Sequence, residues 1–243
     1  MLQDVLQEGR QDSVVSKAGS MNDDLYFACK RAMDVLLAGT ALVLLSPLLL
    51  LIAILIKLDS PGPVIFTQER VGARRKSQDG RTTWEIRNFR VYKFRSMVQN
   101  ADQAIHQAYI KAFVDGSAEA SDAPQAKFKL VRDPRVTRVG HILRKTSLDE
   151  VPQLVNVLKG EMSLIGPRPV PTYEVAEYKP WHRERLAALP GITGLWQVKG
   201  RGNVTFEEMI GMDIEYVRSR SLWLDIKILF LTIPAVVAGR GAE

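Results

Sequence analysis

Apolar and polar positions follow different rules in different parts of the chain. From Val35 to Ile56 the apolar positions are continuous: 22 residues without a charge, fifteen of them Leu, Ile or Val. As a helix at 1.5 Å per residue this run extends about 33 Å, enough to reach across a hydrocarbon core, and its insertion gains about 5–9 kcal/mol. A stretch that is apolar all round is either a membrane segment or a buried helix, and this length favours the membrane. Two features predict that it turns back. Pro47, preceded by Ser46, has no N–H to offer the carbonyl of Val43, which predicts a break. Lys30 and Arg31 precede the run, while Lys57, Arg70, Arg74, Arg75 and Lys76 follow it. Lys and Arg mark the cytoplasmic side, and here both flanks carry them. The reading is a re-entrant helix–break–helix over residues 26–58, entering and leaving by the cytoplasmic face; a kinked single span is the alternative.

Beyond the breaker Asp59-Ser60-Pro61-Gly62-Pro63 the pattern changes to strand-like stretches, VIFTQERVG (64–72) and WEIRNFRVYKFRSM (84–97). The polar link Arg74–Thr83 carries the turn signal Asp79-Gly80 and predicts a hairpin. Residues 99–127 have a near-helical period interrupted at Asp115-Gly116-Ser117, and Val136–Leu158 reads as helix in two pieces. Gly166-Pro167-Arg168-Pro169 predicts a rigid loop, and Pro190–Gly194 another turn. Leu222–Val237 is apolar but interrupted by Asp225, Lys227 and Pro234; it fits an interfacial helix with Trp223 at headgroup level, or a core helix. Residues 1–25 are polar without a period and read as a mobile leader. The fold class is therefore α+β, mainly helical: a membrane hairpin over 26–58, then a cytoplasmic interfacial domain over 59–243 with a small β-hairpin.

Composition narrows the function. With 46% hydrophobic and 25% charged residues over 243 positions, the chain is not a disordered one. A single cysteine, Cys29, excludes an intramolecular disulfide framework and a Cys-rich zinc site. His106, His141 and His182 are dispersed rather than clustered. The formal charge of +6 suits phosphate groups or an anionic membrane face. No P-loop, dinucleotide fingerprint, nucleophile elbow or H-E-x-x-H motif occurs. No nucleic-acid reader motif occurs either, so no nucleic-acid partner is expected.

What remains is a set of phosphate-seeking groups around one acidic pair, Asp149-Glu150. Arg144 and Lys145 precede it, Lys93 and Arg95 lie in KFRSM, Arg168 in GPRP, and Arg201 follows GLWQVKG. A guanidinium fork suits phosphate oxygens and an ammonium adds a compact charge. Adjacent carboxylates among cations have a chemical use: one attacks an electrophilic phosphorus while the other helps to hold Mg2+. The same spacing also has a structural use, because Ser147-x-x-Glu150 matches a capping box and the cations match a solvated or headgroup-facing surface.

These residues also carry a resemblance. Lys30-Arg31-x-x-Asp34, the Ser46-Pro47 pair, PGPVIFTQERVG (61–72), YKFRSM (92–97), the 37-residue block 133–169 and PGITGLWQVKGR (190–201) resemble the bacterial sugar transferases. These are the monotopic phosphoglycosyl transferases, here in their small catalytic form. The resemblance implies transfer of a sugar 1-phosphate from a UDP-sugar to polyprenol phosphate, giving polyprenol-diphosphate-sugar and UMP. It implies Asp149 as nucleophile and Glu150 as its Mg2+-associated partner, with Asp149 as a second candidate ligand. It also implies Lys93, Arg95, Arg144, Arg168 and Arg201 as phosphate- or nucleotide-binding residues, and Ser46-Pro47 as the membrane break. The expected place is the bacterial inner membrane with the catalytic domain on the cytoplasmic face, among membrane lipids. The oligomeric state stays open, a homodimer included, as do the sugar and the glycan pathway. A non-catalytic scaffold of glycan assembly is the alternative. The link over residues 73–88 is longer than the family's usual connection.

Overall fold

The computed structural model describes residues 13–18, 21–78, 81–100, 104–114, 133, 135–200 and 204–237. Its longest element is helix α1 (Met21–Asp59), 39 residues with Asp23 and Asp24 in the first turn and Lys57 in the last, charges that complement the helix dipole. The expected break at Ser46-Pro47 is not an interruption: the helix is continuous through it. The reason is local. Pro47 leaves the Val43 carbonyl without its usual donor, and the Ser46 hydroxyl donates to that oxygen at 2.8 Å.

Helix α1 is packed at both arms and bare between them. Lys30, Asp34 and Ala38 are buried on one arm, Ile52 and Ile56 on the other, while Val43 and Leu44 are 73% exposed. The spacing of four within each arm is that of one helix face. Polar anchors fix the first arm. Lys30 Nζ donates to Asp225 Oδ2 (2.9 Å) and to the Ile165 carbonyl (3.0 Å). The Leu164 N–H donates to Asp34 Oδ1 (3.0 Å), and Arg31 donates to the Val157 and Leu158 carbonyls (2.5 and 2.7 Å). The second arm is held by Arg95, whose NH2 donates to the carbonyls of Ile56 (3.2 Å) and Ser60 (2.6 Å), and by Asp59, which accepts from the Val139 N–H (3.2 Å).

Strands β1 (Ser13–Ala18), β2 (Ile65–Gln78) and β3 (Arg81–Phe94) form an antiparallel sheet in the order β1-β3-β2. The β2–β3 hairpin is longer than the sequence pattern predicts. Pairing runs from Ile65↔Phe94 to Gln78↔Arg81, so most of the polar link is strand and only Asp79 and Gly80, outside the described residues, separate the two. That link has no apolar face for a period-2 signal to show; cross-strand partners such as Arg74↔Glu85, and the Lys76–Glu85 ion pair at 3.0 Å, take its place. Of the leader expected over 1–25, residues 1–12 lie outside the described residues; the described part includes β1, which pairs with β3 through Ser13↔Glu85 and Val15↔Thr83, and the first turn of α1.

Helices follow, with one small parallel pair among them. They are α2 (Ala104–Val114), α3 (Arg138–Lys145), the 3-10 turn Leu148–Glu150, α4 (Gln153–Lys159), α5 (Thr172–Ala176), the 3-10 segment Pro180–Leu186, α6 (Leu195–Lys199), α7 (Phe206–Ser219) and α8 (Leu222–Val237). Strands β4 (Ser163–Ile165) and β5 (Gly191–Thr193) pair in parallel and bring the GPRP and PGITG segments side by side. The two pieces expected within Val136–Leu158 are α3 and α4. Helix α8 joins both readings of its sequence: Asp225 and Ile228 are fully buried, while Trp223 and Phe230 are 75% and 67% exposed.

The Lys30–Asp225 pair is the anchor whose loss is most costly, because Asp225 has no solvent exposure and Tyr26 and Tyr216 also donate to its carboxylate. Lys30→Met is expected to cost about 3–5 kcal/mol, since it leaves a buried carboxylate without its cation. Urea unfolding in detergent measures this, with Leu25→Ala on the exposed face of α1 as a control expected within about 0.5 kcal/mol of the parent.

Candidate active site

Hairpin register sets the first side of the site. Phe66↔Lys93, Gln68↔Val91 and Arg70↔Phe89 are facing pairs, and alternate residues of a strand share a face, so Arg70 and Lys93 stand on the same face of the sheet. The second side is the short connection between α3 and α4. Thr137 caps α3 by accepting from the Gly140 N–H (3.0 Å). Gly140 lets that helix lie against the end of β3, since a Cβ there would fall 2.0 Å from the Ser96 carbonyl oxygen. After α3, Ser147 adopts a left-handed backbone, φ 57°, and turns the chain into Leu148–Glu150. A left-handed serine is uncommon and strained, by about 1–3 kcal/mol. The capping box that Ser147-x-x-Glu150 offers is not formed: Ser147 makes no side-chain cap bond.

Glu150 instead meets the sheet. Lys93 Nζ donates to Glu150 Oε1 at 2.7 Å, and Arg168 NH1 lies 3.9 Å from the same oxygen. All three side chains are about one-fifth exposed, so the ion pairs are partly shielded from water. The three residues line a cleft of about 250 Å³, open mouth included, together with Arg70, Gln153, Gln197 and the Gly191-Ile192 segment. Three cations thus face one lining carboxylate. Asp149 is half-buried on the same 3-10 turn, about 120° around the axis from Glu150 at three residues per turn.

The walls are held from behind. Arg185 is 1% exposed; its NH2 donates to the Arg168 carbonyl (3.3 Å) and lies 2.5 Å from Asp213 Oδ2, while NH1 donates to the Tyr178 hydroxyl (2.5 Å) and lies 3.5 Å from Glu174. Arg70 NH1 donates to the neighbouring Pro169 carbonyl (3.3 Å) and NH2 to Gln68 (2.6 Å). Burial first, and then the like charge of Arg168, pull the Arg70 guanidinium down to about 10. It stays protonated at neutral pH, in surroundings that an added anion would relieve.

The structure thus brings Lys93, Glu150 and Arg168 together in the cleft, while Asp149, next to Glu150 in the chain, is not among the residues that line it. It places Arg95 elsewhere: buried, with NH2 on the carbonyls at the end of α1. Arg144 is half-buried in the last turn of α3; the nearby Asp133 carboxyl is held low chiefly by its hydrogen bonds from Arg135, with the Arg144 charge adding to this, and Arg144 NH1 is buried without a hydrogen-bond partner among the described residues. Arg201 lies outside the described residues. Arg70 was not among the expected site residues; its signal was the strand alternation of TQERVG against YKF, which needs the register to be read.

The sequence pattern of the bacterial sugar transferases matches residues 25–239, nearly the whole chain. The chain belongs to the bacterial sugar transferase family. Among curated relatives, the exopolysaccharide production protein ExoY of Rhizobium meliloti is 41% identical over 213 residues, 88% of this chain and 87% of that protein. The undecaprenyl-phosphate galactose phosphotransferase of Salmonella typhimurium is also 41% identical, over 88% of this chain but 41% of its own length. The UDP-glucose:undecaprenyl-phosphate glucose-1-phosphate transferase of Escherichia coli is 42% identical over 84% of this chain and 39% of its own. The match to the longer relatives therefore spans less than half of each of them.

Because Arg185 is the cation shared by Glu174 and Asp213, Arg185→Leu strands two buried carboxylates and frees the Arg168 carbonyl. Its expected cost is about 3–5 kcal/mol, read as a lowered denaturation midpoint. An Arg185→Lys variant recovers part of that loss, because one ammonium cannot reproduce the guanidinium fork.

Proposed function

We propose that the protein moves a sugar 1-phosphate from a UDP-sugar to polyprenol (undecaprenyl) phosphate, as the first membrane step of a glycan assembly. The observation that carries this reading is the cleft itself, lined by three cations and the carboxylate of Glu150, with Asp149 as the preceding residue of the chain, in a member of this family. Two anionic substrates have to approach each other, and positive charge fixed in advance lowers that barrier.

In the first step an Asp149 oxygen attacks the sugar-bearing phosphorus. The bond from that phosphorus to the bridging oxygen breaks, and UMP leaves with the electron pair. In the second step a phosphate oxygen of the polyprenol phosphate attacks the same phosphorus and Asp149 departs as carboxylate, so the kinetics are ping-pong. Lys93, Arg168 and Arg70, which line the cleft, are suited to the diphosphate oxygens, and Arg144, in the last turn of α3, is the further phosphate-binding candidate.

Mg2+ fits this donor set. Among the described residues no group of three or more His, Cys, Asp or Glu gathers. Mg2+ is commonly held by one or two carboxylates, with substrate phosphate and water completing its shell. Glu150, with Asp149 beside it, would hold the ion, which when bound neutralises charge on the diphosphate.

The membrane reading is that α1 enters the bilayer and returns. Its two arms are anchored on one body, through Asp34 on Leu164 and through Asp59 on Val139. As a straight span those two aspartates would stand about 37 Å apart, on opposite sides of a hydrocarbon core of about 30 Å. A re-entrant α1 keeps the body on the cytoplasmic face of the inner membrane, with the exposed Val43, Leu44, Leu50 and Leu51 of α1 and the exposed Trp223 and Phe230 turned to lipid.

Two measurements test these readings. With a panel of UDP-sugars, Mg2+ and undecaprenyl phosphate in nanodiscs, the parent protein is expected to release UMP and Asp149→Asn to fall by at least about 10³-fold while keeping its unfolding midpoint. Equal behaviour of the two would return the scaffold reading. For topology, Leu25→Cys and Ile65→Cys in a Cys29→Ser background are each expected to resist a thiol reagent applied from the periplasm; reaction at one alone would show a crossing.

A further inference from the structure

Strand β3 is central in the order β1-β3-β2, yet β1 covers it only over Arg81–Glu85. Further along the same strand, the Arg90 carbonyl and Tyr92 N–H point to one side, the donor–acceptor pair that a neighbouring strand would satisfy. No strand is there. The side chain of Asn156, on α4 and fully buried, takes that place. Its Oδ1 accepts from the Tyr92 N–H (3.1 Å) and its Nδ2 donates to the Arg90 carbonyl (2.7 Å). Nδ2 also donates to Glu161 Oε2 (2.8 Å), which fixes the amide's orientation, since both acceptors lie on its nitrogen side.

The two bonds join the elements that carry the two halves of the site's short ion pair. Tyr92 is next to Lys93. Asn156 follows Glu150 by six residues through a continuously bonded path: the Leu154 N–H donates to the Val151 carbonyl (3.0 Å) and the Val155 N–H to that of Pro152 (3.1 Å). Lys93 reaches Glu150 across the gap that the Asn156 amide spans.

We infer that Asn156 is a positioning residue, a one-residue substitute for a β-strand that sets the distance between Lys93 and Glu150. This inference rests on the transferase reading for its kinetic consequence, while its geometric consequence stands without it. Alanine at 156 leaves the Tyr92 N–H and the Arg90 C=O without these partners, while the exposed bond from Lys159 Nζ to the Tyr92 hydroxyl (2.6 Å) still ties α4 to β3 at a side chain and not at the main chain.

The test combines kinetics with a measurement that needs no turnover. In the first arm, Asn156→Ala is expected to lower kcat for UMP release about 10–100-fold with a smaller change in KM for the UDP-sugar, and to lower it less than about threefold when Lys93 is already replaced by Met. A general structural defect would multiply independently with Lys93→Met, and such additive losses would overturn the inference. In the second arm, lysine acylation by an N-hydroxysuccinimide ester is followed by mass spectrometry. Lys93, now in its ion pair, is expected to react at least about fivefold faster in Asn156→Ala, with exposed Lys199 unchanged. An unchanged Lys93 rate in a folded variant would overturn the inference. If the parent protein turns over no UDP-sugar, the transferase reading fails and the acylation arm alone decides. Asn156→Asp, which keeps the shape but sets an acceptor against the Arg90 carbonyl, is read by the same criteria where Asn156→Ala does not fold.

Discussion

Buried polar groups must find partners, and in this protein that requirement ties an apolar helix to a polar body. Helix α1 cannot be held by apolar contact alone, because its middle has nothing to pack against. The side chains that hold it are charged: Lys30, Arg31 and Asp34 at one arm, Asp59 with Arg95 at the other. Each is aimed at a main-chain group or a buried partner, so each position of the helix relative to the body is set by direction as well as distance. The placement of α1 against the body follows from these bonds.

The same segments that accept the anchors also build the cleft. Lys30 donates to the Ile165 carbonyl, at the end of β4, and the GPRP loop with Arg168 begins at the next residue. Arg31 donates to the last carbonyls of α4, the helix that follows Glu150. On the far side Arg95 directly follows the last residue of β3, the strand that carries Lys93. A shift of α1 would therefore be felt at the Lys93–Glu150 pair.

Charge is unevenly supplied across the site. The cleft has an excess of cations, whereas directly behind it Arg185 has two buried carboxylates for itself. That division separates holding from binding. Arg185, Asp213 and Glu174 close on themselves and stiffen the wall, while Arg70 and Arg168 repel each other in a place where an anion would relieve them.

Much of this was legible in the chain. The apolar run, the two helical pieces around Asp149-Glu150 and the hairpin follow from periodicity, and Lys93, Glu150 and Arg168 of the cleft lie in legible motifs, since those signals are local. Three things were not. Strand β1 and the far half of the hairpin are polar strands whose pairing, rather than a hydrophobic face, makes them strands. Arg70 belongs to the cleft, and Arg95 to the end of α1, because of a register and a packing that link residues far apart in sequence. The helix also runs on through Pro47 because a serine one residue earlier supplies the missing donor, a bond that motif reading does not reveal. The sequence by itself determined which residues are apolar, which are chemical, and the family they belong to. Only tertiary structure decided which cations face the carboxylates and which are occupied as anchors, because hydrogen bonds and ion pairs act over a few ångströms and depend on where the fold brings distant segments together.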